Sequence, residues 1–111
     1  MLFGKRKPSF AEVDVKTAQA GQAAGIAALV DVRESDEWAA GHAPNAIHIP
    51  LGQVPARAAE LPAGPLYVIC HAGGRSAQAC GYLAGKGRED VSNVTGGMMA
   101  WSQAGLPVVR G

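Results

Sequence analysis

Leu66-Tyr67-Val68-Ile69-Cys70-His71-Ala72-Gly73-Gly74-Arg75-Ser76 is the stretch that decides the fold. Leu66–Cys70 is a short, unbroken apolar run, the pattern of a strand covered on both faces. His71–Gly74 is a glycine-rich loop. A helix is expected to follow over Arg75–Gly85, with Ala79, Cys80, Leu83 and Ala84 on one apolar stripe. A buried strand, a tight loop and an amphipathic helix make half of a parallel crossover unit.

The same rhythm runs outward in both directions. Upstream, Phe10–Val15 reads as a half-buried strand. Thr17 is expected to cap a helix from Ala18 to about Ala24 that Gly25 ends. Ala27–Val32 reads as a buried strand. Ser35 is expected to cap a short helix, Asp36–Ala40, stopped at Gly41. Pro44-Asn45 marks a turn, and Ala46–Ile49 a short strand. Gln53–Leu61 is expected to be mostly helical despite Pro55. Downstream come a strand at Val91–Val94, a helix at Gly97–Ala104 and an extended tail at Leu106–Val109. There is no internal repeat. This alternation predicts a three-layer α/β domain with about five strands.

Composition agrees with that size and class. At 111 residues the chain fits one domain, burying about two-thirds of the surface its unfolded form exposes. Aromatics make up only 5%, while glycine occurs 15 times. The elements are therefore expected to approach closely through small side chains. Nine acidic and ten basic residues give a net charge of +1, which argues against nucleic acid as a partner. Two cysteines exclude a disulfide scaffold and a four-cysteine zinc site. No apolar run is long enough to span a membrane. Lys5, Arg6 and Lys7 lie in an opening segment, residues 1–9, expected to be flexible, with no apolar stretch of a secretory signal after it. Residues 10–111 form the expected domain. The expected compartment is cytoplasmic and reducing.

Ligands of open parallel sheets sit outside the carboxyl ends of the strands, where Cys70 falls. The two glycines allow successive loop N–H groups to turn inward as an anion-binding nest. The helix N-terminus and Arg75 add positive potential. All three favour a thiolate. An ordinary cysteine, with a pKa of about 8.5, is only ~3% thiolate at pH 7, and a drop of about two units makes thiolate the major form. Loop size narrows the chemistry. Tyrosine-phosphatase-like enzymes place five residues between cysteine and arginine; here four separate Cys70 from Arg75, and Ser76 holds the arginine's position. The smaller ring suits one sulfur atom bonded to Cys70 better than a tetrahedral phosphate.

With these features in place, the chain resembles the single-domain rhodaneses from about Val13 to Pro107. The resemblance is carried by Asp31-Val32-Arg33-Glu34 with Glu37-Trp38, by the segment Gly41–Pro50, by the Cys-x-x-Gly-x-Arg loop with Ser76, and by Gly96-Gly97-Met98-Met99-Ala100-Trp101. Asn45 and Arg88 depart from the family pattern without touching the loop.

The resemblance implies a three-layer α/β/α rhodanese-like domain, its sheet of about five strands mainly parallel with helices on both faces. It implies a sulfurtransferase that moves a sulfane sulfur from thiosulfate or a persulfide through a Cys70 persulfide. The acceptor is cyanide, a thiol or a protein. No metal or other cofactor is required. The alternative is a sulfur carrier or docking module working only with protein partners, such as a sulfur-relay protein. The expected assembly is a monomer or weak dimer.

His71, Ala72, Gly73, Gly74, Arg75 and Ser76 are the expected substrate loop. Arg75 is either an anion ligand or a clamp on a carboxylate. Asp31, Arg33 and His42 are expected in supporting roles, the first two as an internal ion pair or a bond to loop backbone, and His42 on a turn backbone. Trp38 and Trp101 are expected in the core, as is Cys80. Met98 and Met99 either flank the site or pack.

Overall fold

Five parallel strands form one sheet in the order β1-β5-β4-β2-β3. The computed structural model describes residues 10–111, so the basic opening segment lies outside the described residues. The strands are β1 (Ala11–Val13), β2 (Ala28–Asp31), β3 (Ile47–His48), β4 (Leu66–Ile69) and β5 (Val91–Val94). The helices are α1 (Val15–Ala23), α2 (Ser35–Ala40), α3 (Val54–Arg57), α4 (Gly74–Gly85) and α5 (Gly97–Gln103). Among the described residues no helix is long and apolar enough to cross a membrane.

The period-2 alternation of strands explains why the central runs are apolar throughout. Val30 and Val32 of the β2 segment, with Leu66, Val68 and Cys70 of the β4 segment, meet Val54 of α3 and Ala79, Cys80 and Leu83 of α4. Leu29 and Ile69 point the other way, into a second cluster with Val15 and Ala18 of α1 and Met98 and Trp101 of α5. One sheet thus separates two cores. The expected three-layer architecture is present, and Trp101 is fully buried. Small residues do permit close approach: a Cβ on Gly21 of α1 would lie 2.8 Å from the Tyr67 ring.

Several local boundaries differ from the sequence reading. Asp14, not Thr17, caps α1; its carboxylate accepts the Thr17 N–H at 2.7 Å, and the helix starts at Val15. Glu34, not Ser35, is the N-cap of α2, and the Glu37 side chain reaches back to the Glu34 N–H at 3.0 Å. The expected helix at 53–61 is broken into α3 and two flanking 3-10 turns; Pro55, which has no N–H, sits in the first turn of α3. Trp38 is half-buried rather than in the core. Its ring stacks with His42 and with His48, with centroids 3.5 and 4.6 Å away and interplanar angles of 5° and 10°.

The tail after α5 returns to the end of α2 and the turn that follows it. Val109 and His42 exchange two backbone hydrogen bonds of 2.8 Å, and Gly111 donates to Ala39 at 3.2 Å. Trp101 Nε1 donates to the Pro107 carbonyl at 2.8 Å.

The chain leaves β2 toward β3 at one edge and leaves β4 toward β5 on the other side. The crevice between the carboxyl ends of β2 and β4, where Asp31 pairs with Ile69, is therefore the topological switch point, the preferred ligand site of such sheets.

Candidate active site

Cys70 follows β4 at this switch point, and its side chain is almost wholly buried, 1% exposed. The loop turns back over it through Gly73, whose φ of 115° favours glycine. That turn brings the Gly73 N–H to 3.1 Å from Cys70 Sγ. The first turn of α4 adds the Ser76 hydroxyl at 3.2 Å.

The loop is gripped from the opposite layer. The Met98 N–H donates to the Cys70 carbonyl at 2.8 Å, and the Met99 N–H to the His71 carbonyl at 3.0 Å. In a trans peptide the carbonyl and the next N–H point in opposite directions. Holding these two carbonyls toward α5 therefore turns the His71 and Ala72 N–H groups away from it. Gly97 makes the grip possible: a Cβ there would collide with both carbonyl oxygens. The Gly-Gly pair before Met98 is thus a spacing device for the loop.

Burial is the largest single influence on Cys70 and opposes ionisation. The Ser76 hydroxyl and the N–H groups of Ser76, Gly73 and Ala72 together outweigh it and hold the thiol below its ordinary pKa. Cys80 is the internal contrast. Burial, reinforced by the nearby Cys70 charge, pushes its thiol up to about 12. One cysteine is prepared to ionise and the other to remain neutral in the core.

Ser76 is fully buried, and it also contacts Asn93 of β5, with Oγ to Oδ1 at 2.5 Å. Asn93 Nδ2 donates to the Gly73 carbonyl at 3.3 Å. A hydroxyl has one proton. With Cys70 as a thiol, Ser76 donates to Asn93 and accepts from the S–H; with Cys70 as a thiolate, the hydroxyl proton turns to sulfur. Asn93 was not among the residues the sequence singled out. It has no local motif and reaches the loop only because β5 pairs with β4.

Arg75 makes the contact a clamp requires. Both terminal guanidinium nitrogens bind Glu37 of α2, at 2.6 and 2.8 Å. The pairing with Arg75 lowers the Glu37 carboxyl to about 2, against a smaller opposing effect of burial. Arg33 is similarly occupied: it binds buried Asp31 at 2.8 Å and the Gly41 carbonyl at 2.7 Å. His42 Nδ1 donates to the Trp38 carbonyl at 2.9 Å, the turn contact expected of it. His71, Ala72 and Gly74 are exposed. Beside the loop opens a cleft of about 440 Å³, with His71, Met98, Met99, Arg33, Glu37 and Val108 in its wall. Met98 is buried and packs in the second core while also reaching the cleft wall, whereas Met99 is exposed at that wall.

The model of the rhodanese-like domain family matches residues 14–104. The chain belongs to the rhodanese-like domain family. A rhodanese-related protein of Thermoplasma volcanium has a crystal structure that superposes with a TM-score of 0.82 at 28% identity, covering 90% of this chain and 98% of that one. An Allochromatium vinosum protein named sulfurtransferase is 44% identical over 82 residues, 73% of this chain and 77% of its own. The thiosulfate sulfurtransferase GlpE of Vibrio cholerae is 37% identical over 101 residues, covering 89% of this chain and 94% of the relative. The rhodanese-like core accounts for the departures from the family pattern as well. Asn45 adopts a φ of 63° where such chains usually carry glycine. Arg88 binds the Pro62 and Gly64 carbonyls at 2.6 and 2.8 Å, remote from the loop.

Proposed function

We propose that this rhodanese-like domain is a sulfurtransferase with Cys70 as the nucleophile. The Cys70 thiolate attacks the outer sulfur of a donor, thiosulfate or a persulfide. The donor's S–S bond breaks, its electron pair leaves with sulfite or a thiolate, and Cys70 retains a persulfide. An acceptor nucleophile (cyanide, a thiol or a protein thiol) then attacks that outer sulfur, and the Cys70 thiolate departs. In both steps Cys70 alternates between thiolate and persulfide, and the amides of Ala72, Gly73 and Ser76 supply the electrostatic stabilisation. The ring lowers the Cys70 pKa and so raises the share of the attacking thiolate.

The observation that carries this reading is the convergence of the Gly73 N–H and the Ser76 hydroxyl on one buried sulfur, at 3.1 and 3.2 Å. A purely structural cysteine resembles Cys80 instead, apolar in its surroundings and raised in pKa. The resting persulfide extends only one S–S bond, about 2.05 Å, beyond Sγ. The decisive experiment is intact-mass measurement after exposure to each donor. The expected result is a gain of one sulfur atom, removed by cyanide or dithiothreitol and absent in Cys70→Ser. Persistence of the gain in Cys70→Ser overturns the assignment.

A further inference from the structure

Among the described residues, Arg33 and Arg75 beside the loop are each neutralised within the fold. Arg33 is held by Asp31 at 2.8 Å and Arg75 by Glu37 at 2.6 Å. Of the residues lining the cleft, the formally charged pair is Arg33 and Glu37, of opposite sign. Arg110, on the same tail as Val108, lies outside the lining. The remaining wall joins apolar Met98, Met99, Val108 and Ala40 to polar His71, Ser102 and Gln103, with the apolar side chains contributing most of the lining. Met99 and Val108 are 46% and 43% exposed, so apolar surface stands open at the mouth. A cleft of about 440 Å³ lies in the size range that receives small organic molecules, much larger than a small inorganic anion fills.

From this pairing of charges and this wall we infer that the preferred donor is a low-molecular-weight organic persulfide with an apolar body, rather than the thiosulfate dianion. The inference rests on the sulfurtransferase reading above and refines its donor. The body of the donor lies against Met99 and Val108, and its outer sulfur enters the ring at Cys70. The step is Cys70–S⁻ + R–S–SH → Cys70–S–SH + R–S⁻. The new S–S bond forms at the outer sulfur, the old one breaks, and the electron pair leaves on the apolar thiolate; the proton stays on the transferred sulfur. No oxidant or reductant enters. Thiosulfate carries charge on its sulfonate end, which the cleft, among the described residues, meets with no lining arginine or lysine left unpaired. Met99 is the specificity-determining residue: its side chain faces the cleft, whereas its hold on the loop is through the backbone N–H.

The test is the rate at which Cys70 gains one sulfur atom, by rapid-quench intact mass, with thiosulfate and with benzyl hydropersulfide released in situ, at equal concentrations. Cys70→Ser gives the background. The expected ratio favours benzyl hydropersulfide by at least about tenfold, and Met99→Lys narrows or reverses it through faster loading from thiosulfate and slower loading from the apolar donor. Met99→Leu, which retains the apolar wall, keeps the wild-type ratio. Thiosulfate loading wild type as fast as the apolar persulfide, or a ratio unmoved by Met99→Lys in a folded variant, overturns this inference and leaves the sulfurtransferase reading standing. Loading from neither donor overturns that reading and this inference with it.

Discussion

Arg75 and Glu37, 38 residues apart in the chain, form a two-pronged ion pair that ties the first turn of α4 to α2. Because Arg75 is engaged at both terminal nitrogens, it holds the loop's exit, while its charge still interacts favourably with a Cys70 thiolate.

The acid stability of the domain should carry the mark of this pair. The folded carboxyl of Glu37 lies at about 2, below its ordinary 4.5. A lowered carboxylate pKa adds stability that is complete above the unfolded value and is lost as pH falls through the folded one. The contribution therefore drains away between about pH 4.5 and 2. Both side chains are about one-third exposed, so solvent screening reduces it to about 1 kcal/mol. Glu37→Gln should be less stable by that amount at pH 7 and converge with wild type toward pH 2. Parallel denaturation curves at every pH would refute the assignment.

The two thiols should separate cleanly on alkylation. Iodoacetamide at pH 6.5–7 is expected to modify Cys70 before Cys80, with the Cys70 rate midpoint below the ordinary ~8.5. Peptide-resolved mass spectrometry reads both sites in one sample. Cys80→Ser should keep sulfur transfer and lose at most a few kcal/mol of stability, the cost of burying a hydroxyl. A large loss of transfer at unchanged stability would make Cys80 a participant.

Ser76→Ala removes a hydrogen bond to the thiolate. Such bonds to charged groups contribute about 1.5–3 kcal/mol, so the alkylation midpoint of Cys70 should rise by about one to two pH units. Asn93→Ala should raise it less, because the hydroxyl remains while its orientation is lost. A Ser76→Ala midpoint equal to wild type would place the stabilisation in the amides alone.

Gly97→Ala drives a methyl group into the Cys70 and His71 carbonyls at a φ of 56°. A loss of about 1–3 kcal/mol and a sharp fall in Cys70 reactivity are expected. Gly52 supplies the control: a Cβ there meets nothing within 4 Å. Gly52→Ala should be neutral or stabilising by up to about 1 kcal/mol. Equal behaviour of the two variants in urea titrations would remove the spacing role of Gly97.

The strand, loop and helix around Cys70 were legible because each signal is local: an apolar run, two glycines, an amphipathic stripe. Val91–Val94 was legible for the same reason and matches β5 residue for residue. Helix starts were not, because Asp14 competes with Thr17, and Glu34 with Ser35, within a few positions; the choice depends on backbone angles set by the preceding strand. Trp38 read as core because aromatics are rare in this chain. Its stacking on His42 and His48 depends on a turn and a strand that fold back over α2. The Arg75 alternatives could not be separated from sequence, since the partner carboxylate arrives from another crossover unit. Asn93 was invisible for a related reason: only strand order brings it beneath Gly73.

The return of the tail onto α2 has a practical side. Val108 forms part of the cleft wall, and Gly111 donates to the Ala39 carbonyl, next in the chain to the lining residue Ala40. Any affinity tag or fusion partner joined at residue 111 therefore starts close to the cleft wall. The same geometry makes that position suited to an environment-sensitive dye, whose emission would register the arrival of a donor without any label on the small molecule.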